Sequence, residues 1–279
     1  MGIDHFHIDE PTVVSDRVAR FTWTPVNDLL TPAGTLQGGA GLGATCAAMQ
    51  QLTGRPVIWA TAQYLSYAPG LDPLDIEVTI EVAGHNTTQA RAVLSRAGRE
   101  ILTTHAALGS REFPFEDHWA TPPPVAAPAD CPPYRFFEKG RPDLGSMVEF
   151  RLAKGRQLDD IVADPTRGDG SFALWVRCWS GRRPVTVPDV AFIGDFMPLG
   201  FAEALGAPYA GNSLDNTIRI GRSTGTEWVL VSVDVRQVVN GIGYGSADLF
   251  AEDGTLLGGV GQSSVLRKHG AIRNREHLA

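Results

Sequence analysis

The chain has 279 residues, 43% of them hydrophobic and 20% charged, with a formal charge of −7 and a pI of about 5.5. That acidic balance lacks the basic face general nucleic-acid binding requires, and no run of eighteen apolar residues offers a membrane span. Cys46, Cys131 and Cys178 show no metal or redox spacing and read as reduced thiols, while Met1–His7 has neither the basic start nor the apolar stretch of a secretory leader, so a cytoplasmic location is expected.

The first half opens with a strand at Phe21-Thr22-Trp23. Gly38 to Leu52 predicts a helix, carried by Ala44, Ala47, Ala48 and Met49 and ended by Thr53-Gly54. Its glycine-rich start, Gly38 to Gly43, would let another backbone or a ligand approach the helix N-terminus. No ribose-binding acid follows in a strand–turn–helix unit, so a dinucleotide loop is rejected. Strand-like runs come next: Val57-Ile58-Trp59, Asp75 to Val82, Gln89 to Leu94, a turn at Gly98, and Ile101-Leu102.

Prolines then dominate. Thr121-Pro122-Pro123-Pro124 and Cys131-Pro132-Pro133 can form neither helix nor central strand, because proline lacks the backbone donor. We read 112–145 as an extended crossover between a first domain, 1–111, and a second, 146–279. In the second domain Met147–Leu152 and Phe172–Trp179 are expected strands, with the turn-rich loop 163–170 joining them. Pro188 to Gly206 is expected to be helical and interrupted at Pro198. Leu214 to Ile220, Trp228 to Val235, Gly245 to Phe250, a turn at Asp253-Gly254 and Leu256-Leu257 close the chain.

The two halves thus repeat one strand-rich pattern. Trp59 and the turn glycine Gly98 are 39 residues apart; Ser213 and Gly254 are 41 apart. Two such halves are expected to pack face to face, with a site at their junction. Each half, a long helix against an antiparallel sheet, is an α+β arrangement.

This arrangement resembles the hotdog fold, present twice, and the chain from about residue 20 to 268 resembles the type II (TesB-like) acyl-CoA thioesterases. The resemblance is carried by Gly38-Gly39 opening the first helix, Tyr64-Leu65 before Pro69-Gly70, the run Ser213-Leu214-Asp215-Asn216-Thr217-Ile218, and Gly254-Thr255-Leu256-Leu257 followed by Gln262. It implies a double hotdog, two antiparallel sheets each wrapping a long helix, that hydrolyses fatty acyl-CoA thioesters without cofactor or metal. It implies Asp195 as the acid, Ser213 as the hydroxyl and Gln262 as the amide that hold the water, a role in fatty acid metabolism, and a homodimer or higher homo-oligomer. Asn216 departs from the pattern, which often has His there, and the segment from Asp195 to Ser213 is short for it.

The chemistry stands without the family. A carboxylate can take a proton from water, a hydroxyl and an amide can orient that water, and N–H groups at a helix start can receive developing negative charge. Gly38 and Gly39 are therefore candidate substrate contacts. An acidic protein needs local cations to hold the phosphates of coenzyme A, and Arg219, Arg222 and Arg267, with Lys268 beside it, are the nearest to the proposed site in sequence. Structural readings stand beside these. Asp195, in an apolar stretch, could serve as a hydrogen-bonding core residue; Asp215 could brace a turn; Cys46 reads as core packing and His105 as a structural histidine. Two other functions stay open: a non-catalytic acyl-CoA binding protein, and a hotdog hydratase or dehydratase. The latter pairs an Asp with a His five residues on, where this chain has Gly200.

Overall fold

The structure, a computed structural model, describes residues 5–135, 144–178 and 181–268. In chain order the first half comprises β1 (Thr12–Val13), β2 (Val18–Trp23), α1 (Gly38–Thr53), β3 (Val57–Tyr64), β4 (Leu74–Ala83), β5 (Thr87–Arg96) and β6 (Arg99–Gly109). The second comprises α2 (Leu144–Met147), β7 (Glu149–Lys154), α3 (Leu158–Ala163), β8 (Ser171–Arg177), β9 (Arg183–Pro184), α4 (Val187–Gly194), α5 (Gly200–Leu205), β10 (Tyr209–Ile220), β11 (Gly225–Thr226), β12 (Val229–Val239), β13 (Ile242–Ala251) and β14 (Leu256–Lys268).

The fold is the expected α+β double hotdog, with one revision to its assembly. The halves do not stack face to face. They fuse edge to edge into one antiparallel sheet of twelve strands, ordered β1-β2-β4-β5-β6-β3-β10-β14-β13-β12-β8-β7. The seam is the β3–β10 ladder, running from Asp215 opposite Gln63 to Arg219 opposite Trp59. Fusion removes two sheet edges that would otherwise present unpaired backbone groups. Side chains alternate across the sheet. Ala60 and Ala62 of β3, with Asn216 and Ile218 of β10, point inward and are buried. Thr61 and Thr217 meet on the outer face, hydroxyl to hydroxyl at 2.8 Å.

The inner face holds α1 and α4 against each other. Gly39 and Gly43, one turn apart, form the contact line. A Cβ at position 39 would lie 2.2 Å from the carbonyl oxygen of Ala191, and one at position 43 would lie 3.1 Å from Cα of Pro188. The glycine-rich start of α1 is therefore a helix–helix contact, which a side chain at position 39 would force apart. Gln37 caps α1 by accepting from Ala40 N at 2.8 Å, and its amide donates to the Phe192 carbonyl at 3.0 Å, tying the two helices together.

Three expectations change in detail. The connection between β7 and β8 is not a bare loop, since α3 precedes the turn-rich segment. Helix 188–206 is two helices: α4 ends at Gly194, four residues earlier than the proline that breaks it. Strand 172–179 runs from Ser171 to Arg177, and Trp179 lies outside the described residues. The described part of the proline-rich crossover is extended but docked. Ala126 accepts from Trp175 Nε1 at 2.9 Å, and Cys131, Trp175, Trp228, Leu230 and Phe250 form a small second core beneath it. Tyr134 N donates to Phe150 O and Leu152 N to Pro132 O, so the crossover also covers the edge of β7. Among the described residues no helix is long and apolar enough to cross a membrane.

Candidate active site

Asp195 is placed by a proline. Pro198 has no N–H to give the carbonyl of Gly194, and its ring would clash there, so α4 stops at Gly194. Asp195 becomes the C-cap, with φ −70° and ψ 0°, and its side chain leaves the helix toward the start of α1. Gly194 itself sits so close to β14 that a Cβ would lie 2.3 Å from Cγ2 of Val260. The carboxylate is thus pinned between two helices and the sheet.

The sheet side of the site depends on a β-bulge. On β10, Ser213 pairs with Ser264 and Asp215 with Ser263, leaving Leu214 as the extra residue. The bulge changes the parity of the strand, so Ser213 shares the inner face with Asn216, three residues away, instead of with Asp215. Asp215 stabilises the distortion, accepting from the Ser263 amide at 2.9 Å. Gln262 lies opposite Asn216 on β14, and both are fully buried.

Five groups then converge. Asp195 Oδ2 accepts from Gly39 N at 2.9 Å. Asp195 Oδ1 accepts from Gln262 Nε2 at 2.7 Å and, more weakly, from Asn216 Nδ2 at 3.4 Å. The same Gln262 amide donates to Ser213 Oγ at 2.5 Å. Burial dominates the electrostatics and raises the Asp195 pKa to about 6, against the pull of the Gly39, Gln262, Asn216 and Ser213 donors toward the ionised form. The C-terminal end of α4 adds to the cost of charge there, and the N-terminal end of α1 opposes it. A carboxylate with a pKa near 6 is mostly ionised at neutral pH yet basic enough to accept a proton.

The geometry therefore brings together Asp195, Ser213, Gln262 and Gly39, with Gly38 beside them at the start of α1. It leaves the three arginines apart. Arg219 is exposed on the outer face, opposite Gly259 and Trp59. Arg222 is exposed beyond the end of β10, with its guanidinium 3.6 Å from the Glu116 carboxylate. Arg267, half-buried, is five residues along β14 from Gln262, on the Ser213 side.

Two residues enter the site that the sequence reading did not assign to it. Asn216 was noticed only as a departure from the family pattern; strict alternation from Ser213 would have sent it to the other face. Tyr64 stands at the end of β3 with its hydroxyl buried beside Asn216. A signal existed for Tyr64: the inward positions Ala60 and Ala62 are small, which leaves room for a large polar residue two places on. Cys46 is buried core with its pKa pushed up to about 12, as expected of a packing thiol.

Comparisons agree with this architecture. Residues 128–266 match the family model described as acyl-CoA thioesterase C-terminal domain. A thioesterase-like protein from Novosphingobium aromaticivorans shares 29% identity at a TM-score of 0.79, over 92% of this chain and 98% of that one. A hot dog fold protein of unknown function from Alicyclobacillus acidocaldarius shares 18% identity at a TM-score of 0.79, over 95% and 97% of the two chains. The TesB protein of Mycobacterium avium subspecies paratuberculosis shares 16% identity at a TM-score of 0.72, over 92% and 96%. At those last two identities the likeness shows the fold. No curated protein sequence matches the chain.

Proposed function

From the premise that this chain belongs to the TesB-like acyl-CoA thioesterase family and is a thioester hydrolase, we propose that it hydrolyses fatty acyl-CoA to free acid and coenzyme A with Asp195 as general base. The observation that carries this reading is the arrangement at Asp195. A half-buried carboxylate, with its pKa raised to about 6, is held on one oxygen by a helix-start amide and on the other by Gln262.

The steps follow from that geometry. Asp195 takes a proton from a water molecule as the water oxygen attacks the thioester carbon. Ser213 Oγ accepts from Gln262, and its hydroxyl, beside Asp195, is placed to orient the water. The carbonyl electrons move to oxygen, and the N–H at the start of α1 that Asp195 and Gln37 leave unused is available to the developing charge; one such donor is worth roughly 3 kcal/mol. The carbonyl re-forms, the carbon–sulfur bond breaks, and the proton on Asp195 returns to the leaving thiolate. The site needs no covalent nucleophile.

The test is thiol release from a panel of acyl-CoA thioesters. Wild type should release thiol from at least one. Asp195→Asn keeps the shape of the side chain but cannot accept the proton, so its turnover should fall by about two to four decades. Wild-type turnover in Asp195→Asn would reject the mechanism, and a folded wild type inert on the whole panel would reject the activity.

A further inference from the structure

We propose that Tyr64 is a further catalytic residue, whose hydroxyl donates to the thioester carbonyl oxygen alongside the backbone N–H of Gly38. The inference rests on the thioesterase reading of the same site.

Tyr64 ends β3 on the inner face, in line with Ala60 and Ala62. The seam ladder stops one residue short of it, at Gln63 opposite Asp215, beside the bulge that carries Ser213. Tyr64 therefore stands where the sheet opens next to the acid. Its ring lies directly on the start of α1. A Cβ on Gly38 would be 3.0 Å from Cε1 and Cζ of the ring and 3.1 Å from the hydroxyl oxygen. Glycine at position 38 is what lets the phenol reach the helix start.

The hydroxyl is buried and has no hydrogen-bond partner of good geometry. Such a group is destabilising, and phenylalanine would fill the same space without that cost. The site thus keeps a destabilising oxygen at the point nearest the helix start. The neighbouring amides are already used: Gly39 N by Asp195 and Ala40 N by Gln37. Gly38 N, the first of the helix, has no intrahelical acceptor and no partner among the described residues. Tyr64 and Gly38 are therefore two donors with hydrogens to spare at one spot.

Burial, with the Asp195 carboxylate nearby, holds the Tyr64 pKa well above the usual tyrosine range. The group stays O–H: it can donate a hydrogen bond but cannot act as base. As water attacks, the carbonyl electrons shift to oxygen and the Tyr64 hydrogen bond strengthens. No proton moves to or from Tyr64, and the bond relaxes when the carbonyl re-forms and the thiolate leaves.

The experiment is Tyr64→Phe in the full chain, assayed beside Asp195→Asn on the best acyl-CoA substrate. Turnover should fall by about 10- to 100-fold with KM within about threefold, the pattern of a contact made in the transition state. The thermal midpoint should be equal to or above wild type, because the hydroxyl removed makes no hydrogen bond of good geometry within the protein. A structural role would instead lower the midpoint together with turnover, and that result overturns the inference. So does turnover within twofold of wild type; if Asp195→Asn is then inactive, the thioesterase reading stands and only Tyr64 falls. A wild type inert on every acyl-CoA overturns both.

Discussion

Across the seam, four inward-facing residues form one row: Gln262, Asn216, Ala62 and Thr104, on β14, β10, β3 and β6. The two ends of the row meet the two helices in different ways. At one end Thr104 shares a 2.8 Å hydroxyl contact with Thr45 of α1, and Thr45 also donates to the Leu42 carbonyl at 2.8 Å. Both threonines are fully buried, neutral and partnered. At the other end Gln262 meets Asp195, a carboxylate whose ionisation burial resists, and Gln262 Oε1 and Asn216 Oδ1 are buried with no partner. Duplication supplied two copies of one frame. One copy has a row end that only holds the fold together; the other tolerates unsatisfied polarity at the same place. Unpaired buried groups cost free energy wherever they occur, and within this row they fall at one end alone.

The largest expected effect breaks the link between the halves. Gly39→Ala places a Cβ 2.2 Å from the Ala191 carbonyl oxygen and 2.7 Å from the Asp195 Cβ. The helices must separate, and Asp195 loses its amide donor. Turnover should drop by at least about 100-fold and the thermal midpoint should fall. A variant with wild-type kcat would show that α1 need not touch the acid.

A paired substitution separates the row ends. Gln262→Ala should lower kcat by about 10- to 100-fold, because the orienting donor is lost while the acid remains. Its effect on unfolding should be small, since Gln262 already carries an unsatisfied oxygen. Thr104→Val should do the reverse: kcat within about threefold, with about 1 kcal/mol lost in urea unfolding as Thr45 loses its partner. Equal effects on both measurements at both ends would erase the distinction.

The same contrast explains what could be read from the sequence. The repeat, both long helical regions and most of the strands follow from glycine, proline and apolar patterning, all local signals. Pro198 announced a break, and its physical consequence, felt four residues upstream at Gly194, is what frees Asp195. The bulge at Leu214 was not legible. Nothing in Ser213-Leu214-Asp215-Asn216 distinguishes a regular strand from one that gains a residue, and that choice decides whether Asn216 or Asp215 shares the inner face with Ser213. The edge-to-edge seam was hidden as well, because both β3 and β10 read as ordinary strands with one buried face. Family resemblance supplied Gln262 where local reasoning saw only a polar strand residue.

pH titrates one end of the row and not the other. Activity should rise with pH through a midpoint near 6 and flatten above it, because only ionised Asp195 accepts the proton. Stability runs the opposite way. Asp195 ionises at about 6 when folded, against an ordinary 3.8, so between those values the folded state binds more protons and unfolding free energy falls as pH rises. The contribution is present below about pH 4 and gone above about 6, a change on the order of 3 kcal/mol. Subtracting the pH profile of Asp195→Asn from that of wild type, by denaturant unfolding, isolates this group. A flat difference between pH 4 and 7 would mean the carboxylate is better solvated than its surroundings imply.

The smallest expected effects concern how coenzyme A is held, and they follow from which end of the site is open. Toward Ile218 the inner face is filled: Gly194 packs on Val260, and Val190 and Ile218 are buried. Toward Asn212 and Ser213 the strand is half-exposed. A substrate reaching Asp195 from the half-exposed Ser213 side would carry its phosphates along the later part of β14. Of the three candidate arginines only Arg267 lies in that direction, with its Nε buried and unpartnered. Arg219 and Arg222 lie the other way, and Arg222 already faces Glu116. Arg267→Ala should raise KM about three- to tenfold with kcat little changed, the worth of one charge-assisted contact to a phosphate. Arg219→Ala and Arg222→Ala should leave KM within about twofold. The reverse ranking would place the phosphates toward the Ile218 end and require the substrate to enter from the filled end.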